Sequence, residues 1–272
     1  MEKIKLSIIT INLNNAAGLE KTIGSVRSQS FRNLEHIVID GGSKDGSLEI
    51  IKRASDQIAY WISESDRGVY HAMNKGIRAA KGEYCYFLNS GDYLHDAQAL
   101  ALLGTDSISA DIVNFDALVD DGREQIKVSA AKTISFRQFY TGSLLHQATL
   151  IKKDLFTRLG PYNENLKMLS DWEFFVKALF LHHCTYQAVP QLLAVFEANG
   201  YSSKPENYES GLLERKQLLE QHFSRFLPDY RLLSGPAYGY LEVVHHYPFL
   251  KALFTFKARL INRLFRSVSR GE

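Results

Sequence analysis

Cysteine is nearly missing from this chain: Cys85 and Cys184 are the only two in 272 residues, and no Cys-x-x-Cys or Cys/His spacing surrounds them. A disulfide framework and a thiolate zinc site are therefore excluded, and both residues read as small core side chains. Long apolar runs are missing as well. No window approaches the roughly 20 uninterrupted apolar residues that a membrane-crossing helix needs. The opening MEKIKLSIITI runs directly into a polar loop without a small-residue cleavage site, so it does not read as a signal peptide and a cytoplasmic location is expected. Charge of one sign is not in excess either. With 32 Lys+Arg against 30 Asp+Glu the formal net charge is +2, which gives no global field for nucleic acid. Neither a GxGxxG fingerprint nor a GxxxxGK[ST] phosphate loop occurs, which removes the usual signatures of dinucleotide oxidoreductases and P-loop enzymes. Internal repeats and low-complexity segments are absent.

What is present is one sizeable core's worth of apolar residues, 45% of the chain, in alternating strand-like and helix-like segments. Leu6–Ile11, His36–Asp40, Tyr60–Ser63 and Tyr84–Leu88 are short apolar runs of the kind that form fully buried strands. Helical spacing over Gly18–Ser30, Ser47–Ala54 and Val69–Ala80 separates them. That alternation predicts an α/β domain with a largely parallel, Rossmann-like sheet flanked by helices. Further on, a strand is expected at Asp111–Phe115 with a hairpin turn at DDGRE, and another strand at Leu144–Lys152. A short helix at Lys153–Leu159 and a helix at Asp171–Leu181 opened by Ser170 as N-cap complete the pattern. The composition changes near Phe226-Leu227-Pro228, dividing residues 1–225 from a helical extension over 226–272.

Ligands of parallel sheets gather beyond the carboxyl ends of the strands. Three such ends deliver polar residues here: Thr10 and Asn12, Asp40 with Gly41-Gly42-Ser43, and Asn89-Ser90-Gly91-Asp92. Asp92, after a buried strand and a small-residue turn, is a carboxylate of the type that coordinates a hard divalent cation together with a diphosphate; as ordinary turn chemistry it would satisfy local backbone donors. Asp171 at a helix start either caps the helix or acts as a base. Trp172 either stacks on a sugar or fills the core beside Phe174 and Phe175. Glu173, two residues along a helix, points away from Asp171 and reads as solvated or as a neighbour of the site.

The ordered segments SIITINLN, VIDGGSKDGS, SESDRGVYHAMNKGIRAAKGEYCYFLNSGD and LSDWEFFVKAL resemble family 2 glycosyltransferases, especially bacterial enzymes that build surface polysaccharides. The resemblance covers about Lys5 to Ser203 and implies the GT-A fold, a nucleotide-diphosphate sugar donor and inversion at the anomeric carbon. It places Thr10, Asn12 and Asp40 at the nucleotide base, and Arg67 and Asn74 along the donor diphosphate and sugar. Asn89 and Ser90 would contact ribose or diphosphate oxygens. Asp92 would hold Mg2+ or Mn2+, and Asp171 would be the catalytic base. His146 and Gln147 fall where related chains place an acceptor-side loop. The sequence departs from the family twice: Gly41 stands where many relatives carry a second acid. Of the usual two acids separated by one residue and followed by a third, NSGD keeps only Asp92.

The expected reaction is transfer from a UDP-sugar to a hydroxyl of a glycan or lipid-linked glycan. A sugar nucleotidyltransferase would want a glycine- and Arg/Lys-rich triphosphate loop, which the segment after Ile11 lacks. A scaffolding subunit with a depleted site is the alternative that the NSGD turn raises. In the tail, residues 249–270 put Phe249, Leu253, Phe256, Leu260 and Leu264 on one broad apolar face bordered by Arg259, Arg263, Arg266 and Arg270. That face suits an interfacial helix on an anionic membrane, and equally a helix packed on the catalytic domain or a second copy of the chain.

Overall fold

The computed structural model describes residues 3–198 and 205–233. The chain divides into two compact units, Met1–Lys216 and Gln217–Glu272, and the division falls within the helix Pro205–Phe223, ahead of the expected boundary at 225/226. The apolar, Arg-bordered face expected over 249–270 lies outside the described residues.

The first unit is built on β1 (Leu6–Asn12), β2 (Leu34–Asp40), β3 (Tyr60–Ser63) and β4 (Tyr84–Phe87), all mutually parallel in the order β3-β2-β1-β4. Between them run α1 (Ala16–Arg27), α2 (Ser47–Arg53) and α3 (Val69–Ala79). The helix α1 starts at Asn15, whose Oδ1 accepts the N–H of Gly18 at 3.1 Å, and buries Leu19, Thr22, Ile23 and Val26. The helix α3 lies hard against β1 at Gly76, where a Cβ would come within 2.3 Å of Ile9 Cγ2.

After β4 the sheet becomes mixed. A two-residue strand β5 (Tyr93–Leu94) precedes the hairpin β6 (Ile112–Asp120) and β7 (Gln125–Val128), whose turn is the expected DDGRE. Then follow α4 (Phe136–Thr141), β8 (Thr149–Lys152), α5 (Asp154–Arg158), α6 (Ser170–Val176) and β9 (Tyr186–Glu197). The full order is β3-β2-β1-β4-β8-β6-β9-β5, with β7 on β6. Two expectations are corrected. The strand expected from Leu144 begins only at Thr149, because Leu145 O closes a tight turn by accepting Ala148 N and, at 2.8 Å, Thr149 Oγ1. The helix expected over Asp171–Leu181 is α6 followed by a π turn at Lys177–Leu181.

The helix α7 (Pro205–Phe223) begins in the first unit; α8 (Leu227–Leu233) belongs to the second. Among the described residues no helix is long and apolar enough to cross a membrane.

Candidate active site

Asn12 and Asp40 are register partners at the carboxyl ends of β1 and β2, and Asn12 Nδ2 donates to Asp40 Oδ1 at 2.7 Å. The Asp40 carboxylate also accepts Ser63 Oγ at 2.6 Å, Ser43 Oγ, and the N–H groups of Gly42 and Ser43 at 3.2 and 3.0 Å. Burial pushes its pKa up, but hydrogen bonds from Ser43, Ser63 and Asn12 outweigh that and hold it below the ordinary carboxylate range. Asp40 is wholly buried with five donors and is the anion around which the 41–43 turn is folded. Thr10 is likewise wholly buried and ties three strands together, donating to Leu88 O at 2.8 Å and meeting His36 Nε2 at 2.9 Å. Asn12 differs from both, because its Oδ1 is buried with no hydrogen-bond partner and can still accept an N–H or O–H.

The NSGD turn is braced by α1. Asn15 Nδ2 donates to Ser90 O at 3.0 Å, Thr22 Oγ1 donates to Asp92 O at 2.7 Å, and Gly91 N donates to Thr22 Oγ1 at 3.1 Å. Gly91 has φ +107°, a left-handed conformation that side chains resist, and a Cβ there would meet Glu197 Oε2 at 3.5 Å. Glu197 ends β9, and its N–H donates to Asp92 Oδ1 at 3.1 Å. Its carboxylate pairs with Lys21 at 2.5 Å, and Lys21 Nζ sits 3.8 Å from the Tyr93 ring centroid. Burial drives the Asp92 carboxyl up to about 8; the Glu197 charge adds to this, while the Glu197 N–H and Lys21 oppose it. Glu197 and Lys21 escaped the sequence reading; the one available signal is that Glu197 closes the last apolar strand.

Among the described residues no three His, Cys, Asp or Glu side chains converge. Glu197 nevertheless meets Asp92 through its backbone N–H and its charge acts on the Asp92 carboxyl, and Asn89 Oδ1 in the same turn is buried without a partner. Such an oxygen set fits a hard cation that completes its shell with water and phosphate oxygens.

The second cluster surrounds Asp171. The N-cap of α6 is Leu169, not Ser170, whose Oγ instead accepts Asn163 N at 2.6 Å. The Glu214 carboxylate of α7 takes the backbone N–H groups of Lys167, Met168 and Leu169 at 2.7, 3.0 and 3.1 Å, and so pins the approach to α6. Asp171, in the first turn, stays half-buried and accepts Tyr70 OH at 2.8 Å. Trp172 is wholly buried, with Nε1 donating to Phe139 O and Gly142 O and the Arg215 guanidinium 5.1 Å from its ring centroid; of its two readings, the structure shows core packing. Glu173 is buried rather than solvated, paired with Lys177 at 2.7 Å.

His146 is buried, stacked on Phe87 at 4.8 Å, with Nε2 2.8 Å from Tyr162 OH. Burial lowers its pKa more than the Asp171 charge raises it, so it is a neutral ring fixed in the core and not an open acceptor contact. Gln147 is half-buried and its carbonyl accepts Tyr86 OH at 2.8 Å. Asn74, 1% exposed, bonds Tyr162 O at 2.8 Å, Glu164 Oε1 at 3.0 Å and Tyr162 N at 3.0 Å, and so positions the 162–164 loop. Arg67 is exposed and rests on Glu164 at 2.7 Å. It also lines a groove of about 740 Å3 between α3 and the edge strand β3, apart from Asp92 and Asp171.

The two clusters share one end of the sheet. Strand β8 runs antiparallel to β4 with Tyr86 opposite Leu150, so the turn at His146–Ala148 lies beside the residues that lead from β4 into NSGD. Asn12, Asn89, Ser90 and Asp92 leave the sheet there, and Asp171 is carried toward it by Tyr70 and the His146–Tyr162 pair.

Residues 7–145 match the model of glycosyl transferase family 2. A glycosyltransferase of Mycobacterium tuberculosis is 34% identical over 210 residues, covering 74% of this chain and 78% of that one. A PGL/p-HBAD biosynthesis glycosyltransferase of Mycobacterium bovis is 30% identical over 177 residues, 63% of this chain and 68% of its own. Among solved structures, residues 1–349 of S. aureus TarS in complex with UDP-GlcNAc superpose with a TM-score of 0.62 at 20% identity, over 82% of this chain and 73% of that one. The mannosyltransferase PcManGT of Pyrobaculum calidifontis, in complex with GDP-Man and Mn2+, gives 0.56 at 18% identity over 100% of this chain and 89% of its own. The match over residues 7–145 and the mycobacterial relatives together show that this chain belongs to glycosyltransferase family 2, built on the GT-A fold of its structural neighbours.

Proposed function

We propose that the protein moves a sugar from a UDP-linked donor to a hydroxyl of a glycan or lipid-linked glycan, with inversion at the anomeric carbon and Asp171 as base. The observation that carries this reading is the state of Asp171: a half-buried carboxylate in the first turn of α6, with one oxygen held by Tyr70 at 2.8 Å, on the same end of the sheet as the NSGD turn. UDP as the nucleotude-bearing half of the donor is supported by the TarS structures with UDP and UDP-GlcNAc.

Asp171 takes the proton of the acceptor hydroxyl as that oxygen bonds to the anomeric carbon from the face opposite the diphosphate. The sugar–phosphate bond breaks with its electron pair leaving on the diphosphate, so one inversion accompanies one transfer. Asn12 Oδ1 accepts from the base or ribose of the donor, and Asn89 and Ser90 lie along the same path. Asp92, with Glu197 beside it, would hold Mg2+ or Mn2+, which supplies positive charge to the departing diphosphate. Arg67, exposed and paired with Glu164, would leave that ion pair to bring a second positive charge to the diphosphate.

Calorimetric titration of the wild type and Asp92→Ala with UDP, GDP and dTDP, with and without Mn2+, tests the donor site. Metal-dependent binding of UDP that Asp92→Ala abolishes is expected; no binding of any nucleotide would favour a scaffolding role. For residues 226–272 we propose a helical extension that holds the enzyme on an anionic membrane through 249–270, where a lipid-linked acceptor would be presented. Deleting residues after Phe249 should abolish binding to anionic liposomes, and unchanged binding would end that part of the proposal.

A further inference from the structure

Tyr70 lies in the first turn of α3. In the structure it is 5% exposed and its hydroxyl donates to Asp171 Oδ1 at 2.8 Å. A phenol carries a single proton, and here it is donated to the Asp171 carboxylate at the start of α6, where Leu169 supplies no side-chain cap. Burial, and then the Asp171 charge, keep the phenol protonated.

The ring itself is immobilised from two sides. It packs at 5.6 Å against Tyr162, whose hydroxyl lies 2.8 Å from His146 Nε2. One helical turn later on the same buried face of α3, Asn74 bonds both the carbonyl and the N–H of Tyr162, at 2.8 and 3.0 Å. Helix α3 therefore fixes the phenol, and the loop it leans on, as one piece. Among the described residues no other side chain is recorded as donating to Asp171.

We infer that Tyr70 is the positioning residue for the base: by tying Oδ1 it sets the plane of the Asp171 carboxylate and leaves Oδ2 to face the acceptor hydroxyl. This rests on the reading of Asp171 as base. A carboxylate free to rotate would present its oxygen at the wrong angle for much of the time, and small misplacements of a reacting group cost rates on the order of 10- to 100-fold.

The test is a double-mutant cycle in the full-length protein, using donor turnover with Tyr70→Phe, Asp171→Asn and both together, and calorimetric binding of UDP with Mn2+ as the control for an intact site. Tyr70→Phe should lower kcat by about tenfold or more with KM and the UDP Kd unchanged, and should have no further effect in the Asp171→Asn background. Wild-type kcat in Tyr70→Phe, a matching loss of UDP binding, or an equal fold-loss in both backgrounds would overturn the assignment and leave Tyr70 as packing. Wild-type turnover in Asp171→Asn would instead remove the base itself, whatever Tyr70 does.

Discussion

Asp92→Asn should make the protein more stable, by an amount that depends on pH in a way only an ionisable group can produce. Asp92 is 4% exposed, within reach of the Glu197 charge, and its pKa rises from 3.8 in the unfolded chain to about 8 in the folded one, chiefly through burial. A carboxyl whose folded pKa lies above its unfolded value binds its proton more tightly in the native state. Stability is therefore undiminished below about pH 4 and is lost as pH rises toward 8. The cost grows with pH from about 4 upward, reaches several kcal/mol by about pH 7, and levels off above pH 8. Asparagine keeps an oxygen for the Glu197 N–H and cannot ionise. Urea unfolding followed by tryptophan fluorescence reports on the right unit, because both tryptophans, Trp61 and Trp172, lie before Lys216. In metal-free buffer the stability advantage of Asp92→Asn over wild type should widen by about 2 to 3 kcal/mol between pH 5 and pH 7. Parallel pH curves for the two proteins would refute the burial argument.

Glu197→Gln removes the carboxylate charge that acts on Asp92 and should weaken Mn2+ binding by about tenfold, read by calorimetry in the presence of UDP; an unchanged affinity would leave Asp92 to hold the cation alone. Gly76→Ala places a methyl within 2.3 Å of Ile9 Cγ2, so α3 must shift off β1. A stability loss of about 1–3 kcal/mol in denaturant unfolding is expected, and a neutral outcome would mean that the contact yields easily. Tyr70→Phe, as described above, should act on kcat and not on binding.

The parallel strands of the first half were legible because strands covered on both faces read as unbroken apolar runs, as HIVID and YCYF do. Strand β9 was not, since Pro190 interrupts it, many of its positions are only half-buried, and its register against β6 slips at Phe115 to Ala117. Residue types marked Asp40, Asp92 and Asp171 correctly as the polar groups of strand and helix ends. Their surroundings could not be read from spacing. Thr10 and Asn74 look like ligand contacts in one dimension, yet each is consumed by partners 78 to 88 residues away. Glu197 meets Asp92 across 105 residues and Lys21 across 176, so no local pattern announces the second carboxylate. Ser170 preceded a helix and read as its cap, but its Oγ accepts Asn163 N, and the Glu214 carboxylate takes the N–H groups that lead into the helix.

The central claim is that Asp171 is the base of a UDP-sugar transferase, and the most direct measurement is donor turnover by wild type and Asp171→Asn, with UDP-sugar affinity measured on the same samples. The account predicts unchanged affinity and turnover lowered by about 10²-fold or more; equal turnover in the two proteins would contradict it.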